Sequence, residues 1–223
     1  YINNVLNQLP YSQRKKVKEV TLDMAGNMER IVKKSFPKAS YVTDRFHVQK
    51  LAYEAIQELR IAQRWDVIDQ ENKEMALAKE VGEKYKSEQL ENGDTLKQLL
   101  ARSRYLLFKG KEKWSPSQRH RAEILFSKYP LIEQGYKLAR KLNKIYQHTK
   151  DKGIAFTKLA QWYNEVEHAN IKSFNIIKRS IEHHYQYVLN FFDNRSTNAS
   201  AESFNAKIKS FRNQFRGVRN VSF

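Results

Sequence analysis

Three acidic residues and one histidine stand at positions where their side chains could bind a metal ion: Asp23, Asp44, His47 and Glu202. Asp23 and Asp44 each follow a short run rich in β-branched residues, the pattern of a strand that ends on an acid. A carboxylate at the end of a rigid strand keeps a fixed position and can hold a hard divalent cation. These residues therefore define a candidate metal site, provided that the fold brings them together.

Each of these residues also has an ordinary structural explanation. Asp23 could be a solvated turn residue or a helix N-cap, and Asp44 could cap the helix that contains His47. With no cysteine in the chain, Asp44 and His47 alone do not support a zinc site. Glu202 could simply favour the positive end of a helix, although Ala199, three residues earlier, does not fit a capping box. The residues themselves leave both interpretations open.

The elements around the two aspartates predict a βαβ unit. Residues 16–23 alternate as a strand, residues 27–36 have helical spacing before a proline, and residues 40–43 form a second short strand. Strands joined by such a crossover are parallel, so their carboxyl ends meet at one edge of the sheet. Asp23 and Asp44 are therefore expected at the same edge, where open α/β sheets usually bind their ligands.

The next part of the chain, about residues 45–192, is predicted to be almost continuously helical. Apolar residues recur at intervals of three and four, and the whole chain contains only 7 Gly and 4 Pro. The expected breaks lie at residues 91–94, 109–116, 129–131 and 151–153. A polar loop is predicted over 193–200.

A final helix is predicted over residues 201–216, with two distinct faces. The spacing places an apolar stripe on one face, formed by Phe204, Ile208, Phe211 and Phe215. On the opposite side it places Glu202, Lys209, Asn213 and Arg216. Glu202 is thus a single acid at the head of a basic helix face.

The composition indicates a protein that binds nucleic acid in a reducing compartment. Lys and Arg number 41 against 24 Asp and Glu, a net charge of +17, which favours polyanions and makes an anionic membrane surface the second choice. No apolar run approaches the length of a membrane span, and a chain without cysteine suits the cytosol. The basic residues expected to bind DNA are Arg45, Lys207, Lys209, Arg212, Arg216 and Arg219.

Taken in order, three segments resemble the core of the ISL-three family of bacterial insertion-sequence transposases. They read LDMAGNMERIVKKSFPKASYVTDRFHVQKLAYEAIQELR, then RYLLFKGKEKWS, and finally STNASAESFNAKIKSFRNQFRGVRNVSF. Each motif is modest by itself, but their order and spacing together are specific. The likeness extends from about Val17 to the end of the chain.

The resemblance implies a ribonuclease H-like catalytic domain with an Asp/Asp/Glu triad that binds two divalent metals. It assigns Asp23 as the second triad aspartate and Glu202 as the glutamate, with Asp44 and His47 as the Asp-x-x-His motif of such enzymes. An alternative takes Asp44 as the second triad member. Before Asp23 the only acid is Glu19. The first triad aspartate is therefore expected upstream with a DNA-binding region, and this chain alone is expected to be inactive.

The expected fold is α/β plus α: a partial ribonuclease H-like βαβ core, a large all-helical insertion and a C-terminal helix that carries the catalytic Glu. The corresponding domains are residues 1–63, 64–192 and 193–223. The helical insertion is expected, from the resemblance, to hold transposon ends or a second subunit.

The expected function is a DNA transposase that cleaves transposon ends and transfers strands by 3′-OH attack on target DNA. It would use Mg²⁺ or Mn²⁺, act as a homodimer or higher assembly without a membrane, and work in the bacterial cytoplasm near the nucleoid. The main rival is a non-catalytic, basic helical DNA-binding module. A third interpretation is a ribonuclease H-like nuclease that only hydrolyses DNA.

Overall fold

The protein is mostly helical, with one small parallel sheet. The computed structural model describes residues 2–24 and 26–214. Within them no helix is both long enough and apolar enough to cross a bilayer. The two strands are β1 (Glu19–Leu22) and β2 (Ser40–Thr43). The helices are α1 (Ile2–Leu6), α2 (Tyr11–Arg14), α3 (Gly26–Ser35), α4 (Arg45–Glu80), α5 (Leu96–Arg102), α6 (Pro116–Lys128), α7 (Pro130–His148), α8 (Lys152–Ala169), α9 (Lys172–His183), α10 (Tyr185–Asn194) and α11 (Ala199–Gln214), with 3-10 turns at Leu106–Phe108 and Lys111–Lys113.

The chain divides into two compact units. The first unit contains the chain up to His47 and the chain from His184 onward, so it is assembled from both ends of the sequence. The second unit is the continuous stretch Val48–His183, which is helical wherever it has regular structure. The sheet and all four candidate metal-binding residues belong to the first unit.

The βαβ prediction is confirmed in the first unit. Strands β1 and β2 pair in parallel, with Leu22 opposite Thr43, and α3 connects them. β1 is shorter than the predicted 16–23, because the residues before Glu19 turn at the end of α2. The backbone N–H of Asp44 donates to the carbonyl of Leu22 at 2.9 Å, so the strand pairing continues as far as Asp44.

Helix α10 covers the sheet from the C-terminal part of the chain. Its residues Val188, Phe191 and Phe192 are buried, and the Asn190 side-chain amide donates to the carbonyl of Tyr41 in β2 at 2.9 Å. The helix runs to Asn194, so the loop predicted over 193–200 is shortened from both sides by α10 and α11. The extension consists of the polar residues Asp193 and Asn194, and the helix ends at Arg195, which has a left-handed backbone conformation.

Helix ends in the second unit follow local capping chemistry. Thr95 and Ser115 each form a capping box with the glutamine three residues later, and Asp151 accepts from the backbone of Ile154. All four predicted breaks are confirmed. The longest break, residues 81–95, begins well before the predicted 91–94, because Gly82 adopts a left-handed φ of 75° that ends α4.

Close packing in the second unit depends on a glycine in α7. A side chain at Gly135 would meet Leu59 at 3.0 Å and Phe174 at 3.2 Å, so the residue lets α4 and α9 approach α7. Nearby, the Trp162 indole donates to the carbonyl of Leu138 at 2.9 Å, which satisfies a fully buried ring.

A buried aspartate connects the long loop to two helices of the second unit. Asp94 is 1% exposed and accepts hydrogen bonds from Arg102 and, at 2.9 Å, from Arg121. Burial by itself raises the pKa of the Asp94 carboxyl, but the hydrogen bonds and charges of the two arginines outweigh it and lower that pKa. The contribution to stability is therefore complete above the ordinary aspartate pKa of about 3.9 and is lost as the pH falls through the lowered value.

We expect Asp94→Asn to reduce the free energy of unfolding of the second unit by about 2–4 kcal/mol, because it leaves two guanidinium groups without their anion. The three tryptophans, Trp65, Trp114 and Trp162, all lie in this unit, so urea unfolding followed by tryptophan fluorescence reports on it selectively. Glu91→Gln in the same loop is the control, since Glu91 is exposed. Equal midpoints for the two variants at neutral pH would contradict the stabilising role of Asp94.

Candidate metal centre and basic surface

The first unit brings together two acids and a histidine that are far apart in sequence. Ligand atoms of Asp44, His47 and Glu202 all lie within 4.8 Å of one another. Asp44 follows β2, His47 lies in the first turn of α4, and Glu202 lies in the first turn of α11. A strand end and two helix N-termini therefore converge on one point.

Asp44 is the fixed member of this group. Its side chain is completely buried, and its Oδ1 accepts from the backbone N–H of Phe46 at 2.9 Å. Its Oδ2 accepts from the backbone N–H of Asn198 at 2.9 Å, immediately before α11. Asp44 is thus the N-cap of α4, the structural role considered for it from the sequence. It also connects the start of α11 to the edge of the sheet by a hydrogen bond.

The two other members have more freedom. His47 is half-buried and Glu202 is exposed, so Glu202 is the member open to solvent. The backbone N–H of Glu202 donates to the carbonyl of Asn198 at 2.9 Å. Because Asn198 is itself bound to Asp44, one short chain of hydrogen bonds sets the distance between the two acids.

The donor set fits a divalent cation. Each oxygen of Asp44 accepts one backbone N–H and a carboxylate oxygen can accept twice, so both oxygens keep capacity for a ligand bond. Glu202 adds a second carboxylate and His47 an imidazole. Mg²⁺ is commonly bound through one or two carboxylates with waters or phosphate oxygens completing its octahedron, and an imidazole ligand shifts preference toward transition metals.

Asp23 lies at the end of the neighbouring strand and is not a member of this three-residue group. It directly follows Leu22, and Asp44 directly follows the paired Thr43, so the two backbones are roughly 5 Å apart by the spacing of paired strands. Asp23 is exposed to solvent. Asp23 and Asp44 therefore lie at the same edge of the sheet, as predicted. Glu202 is grouped with Asp44 and not with Asp23.

A small cavity lies beside Asp23. It has a volume of about 10 Å³, room for roughly one water, and Asp23, Glu29, Tyr41 and Tyr187 are among its lining residues. The Tyr187 hydroxyl donates to Glu29 at 2.8 Å, and Lys33 pairs with the same oxygen at 2.6 Å. The hydrogen bonds from Lys33 and Tyr187 hold the pKa of the Glu29 carboxyl below its usual value. Glu29 is therefore part of an ion pair with Lys33 beside the strand edge.

Arginines surround an aromatic ring close to the site. The Arg45 guanidinium lies 4.9 Å from the ring centroid of Phe46 and 6.0 Å from that of Phe191, and the Arg195 guanidinium lies 5.2 Å from the same Phe191 ring. Arg195 has a left-handed φ of 57° at the end of α10, a conformation that costs a non-glycine residue about 1 kcal/mol or more. The predicted cation Arg45 is thus held in place, and Arg195 is a second cation nearby.

Helix α11 presents the other predicted cations on an exposed surface. Lys207, Lys209 and Arg212 are all exposed, whereas Arg216 and Arg219 lie outside the described residues. The apolar stripe predicted for this helix is also exposed: Phe204 by 64%, Ile208 by 39% and Phe211 by 61%, with Phe215 outside the described part. The confirmed helix begins at Ala199, two residues before its predicted start.

Sequence reasoning missed Asn198, Arg195, Glu29 and Tyr187. Asn198 had no usable signal, since it lay inside the predicted loop, three residues before the predicted helix, and its backbone bond to Asp44 spans 154 residues. Glu29 and Tyr187 are 158 residues apart, and nothing in their local sequence connects them. Such contacts between distant segments leave no periodic pattern to read.

Comparison with known proteins identifies a family for the chain. The family model of the ISL-three transposases matches the chain over residues 1–223. No curated protein and no solved structure matches the chain significantly.

We expect the chain to bind Mn²⁺ and expect Glu202→Gln to weaken that binding at least tenfold, because a neutral amide replaces one of two carboxylates. Free Mn²⁺ can be titrated by electron paramagnetic resonance at neutral pH. Asp193→Asn is the matched control, since Asp193 is an exposed acid of the same unit outside the group. An equal loss in both variants would mean that the ion binds diffusely to surface acids.

Proposed function

Since the chain belongs to the ISL-three family of transposases, we propose that it serves metal-dependent cleavage of transposon ends and transfer of the resulting 3′-OH strands into target DNA. The observation that carries this proposal is the meeting of Asp44, His47 and Glu202 within 4.8 Å. A purely helical binding module has no need to bring a strand-end acid, an imidazole and a helix-end acid to one point.

We further propose a ribonuclease H-like core built around β1 and β2. The support is a parallel strand pair joined by α3, with an acid directly after each strand. The second support is that α11 returns from the far end of the chain to the same edge. The domain limits 1–63, 64–192 and 193–223 stay a prediction.

The assignment of the triad acids also stays a prediction, but the geometry favours one pair of acids as ligands of a shared ion. Glu202 is proposed as the triad glutamate. Its grouping with Asp44 favours Asp44 as the acid that shares an ion with it, which supports the alternative assignment. Asp23, at the end of the adjacent strand, remains the second triad aspartate implied by the resemblance and the candidate for a second ion. The resemblance implies a first triad aspartate besides the acids that it assigns here, so we propose that the chain alone is inactive.

Divalent ions, when bound, would activate water or a DNA 3′-OH and neutralise charge on the phosphodiester. The residues of the chain itself would position the ions and the DNA. Asp44 is immobilised by burial and two backbone hydrogen bonds, so it would hold an ion at a fixed place on the sheet edge. Arg45, beside it, and the exposed cations of α11 would orient the DNA backbone.

The partners proposed are transposon-end and target DNA and further copies of the chain, without a membrane. The DNA partner rests on family membership and on the net charge of +17. The proposed location is the bacterial cytoplasm, close to the nucleoid.

We expect Ca²⁺ or Mn²⁺ to tighten binding of a fluorescent DNA duplex several-fold, because an ion held by acids can also bind a phosphate oxygen. This gain should disappear in Glu202→Gln, while affinity in chelator stays equal to that of the unchanged chain. Fluorescence anisotropy measures both. A metal effect that survives Glu202→Gln would favour the non-catalytic helical DNA-binding module.

We expect Lys209→Gln together with Arg212→Gln to weaken DNA binding for all sequences and to reduce the slope of log affinity against log salt by about 0.9 for each phosphate that is no longer neutralised. The control is Lys150→Gln with Lys128→Gln, two exposed cations of the second unit. An unchanged slope in the α11 variant would remove this helix from the DNA interface.

A further inference from the structure

The distal half of α4 carries an exposed apolar stripe. Ile61, Trp65 and Met75 are 44%, 58% and 51% exposed, and Ile68 between them is half-buried. An exposed tryptophan among aliphatic neighbours is costly in water, since most large aromatic rings are buried or lie at interfaces. This stripe, called here the α4 stripe, belongs entirely to the second unit.

The α4 stripe has the spacing of a coiled coil. Ile61, Trp65, Ile68, Asn72 and Met75 follow one another at alternating intervals of four and three residues, the 3.5-residue repeat of an a/d seam. Isoleucine or methionine occupies each d position, tryptophan occupies the first a position, and asparagine occupies the second. A single polar residue at an a position typically fixes the register and number of strands in such a pair.

The charges beside the stripe match those of an identical, parallel helix. Arg64 occupies a g position and Asp69 the following e position, and g-to-e′ pairs across the seam are the usual salt bridges of parallel coiled coils. Neither residue forms a salt bridge within the described part of the chain. An antiparallel pair would instead bring Asp69 close to Asp69 of the other copy.

The net charge of this segment also argues for protein and against DNA as the occupant. Residues 61–80 contain five acids and three bases, in a chain of net charge +17. The local charge therefore disfavours a polyanion here, whereas two copies of a basic protein meet less repulsion at this stretch than their net charge would give. Arg64 and Asp69 lie along the same seam, so each copy can supply the arginine of one salt bridge and the aspartate of the other. A two-fold symmetric contact requires such a self-complementary surface.

We propose that the α4 stripe is a self-association surface, on which two copies of the chain form a parallel, in-register coiled coil centred on Ile68 and Asn72. The inference specifies the assembly in the proposed function, but it rests on the second unit and not on the acids of the first. Failure of the dimer would leave metal binding intact, and failure of metal binding would leave the dimer intact.

The absence of cysteine from the chain allows a direct test of orientation. In a parallel, in-register pair, the thiols introduced by Asn72→Cys face each other across the axis and form an intermolecular disulfide on mild oxidation. Gln161→Cys, at an exposed position of α8, is the matched control and should stay largely uncrosslinked. Non-reducing electrophoresis distinguishes the two, and light scattering should give twice the 26.5 kDa chain mass for the unchanged protein.

Two sets of variants complete the test. Trp65→Glu should raise the dimer dissociation constant at least tenfold, while Ile154→Glu, at an equally exposed apolar position of α8, should not change it. Arg64→Asp and Asp69→Arg should each weaken the dimer, and the double exchange should restore it. A monomer at all concentrations, a dimer indifferent to Trp65→Glu, or a dimer in which Asn72→Cys forms no disulfide would overturn the proposal. Circular dichroism and Mn²⁺ binding confirm that each variant remains folded.

Discussion

The candidate site depends on one buried carboxylate. Asp44 is removed from water, and each of its oxygens accepts a backbone N–H from a different segment, Phe46 at the start of α4 and Asn198 before α11. A buried anion is tolerated only where such donors replace its hydration. The same two bonds fix where the helices of His47 and Glu202 begin, so the stability of the fold and the geometry of the site have a common cause.

The sequence predicted the local features of this arrangement well. The βαβ unit, the two acids at one edge, the helical second unit and four of its five breaks follow from periodicity and turn chemistry. The break that was missed lies between α8 and α9, where Asn170 has a left-handed φ of 49°. The strand over 40–43 was confirmed without change, because β-branched residues and a preceding proline define it sharply. Strand β1 and the loop after α10 were predicted too long, since charged residues before Glu19 and polar residues after Phe192 fit more than one conformation.

The long-range features could not be predicted from residue patterns. Sequence spacing put Asp23 and Asp44 side by side, but it held no information on which of them Glu202 would join. That choice depends on the path of the chain from Phe192 through the left-handed Arg195 to Asn198. Helical periodicity correctly defined the faces of α11, yet it could not reveal that both faces would be exposed within the described residues.

The division of the chain has a consequence for the order of events during synthesis. The second unit is continuous in sequence, so it can fold as soon as residues 48–183 have left the ribosome. The first unit cannot, because β2 waits for α10 to cover it and Asp44 waits for Asn198. The acids and the histidine therefore come together only after nearly all of this sequence has been translated, so a nascent chain that already exposes basic helices to DNA does not yet carry the assembled site.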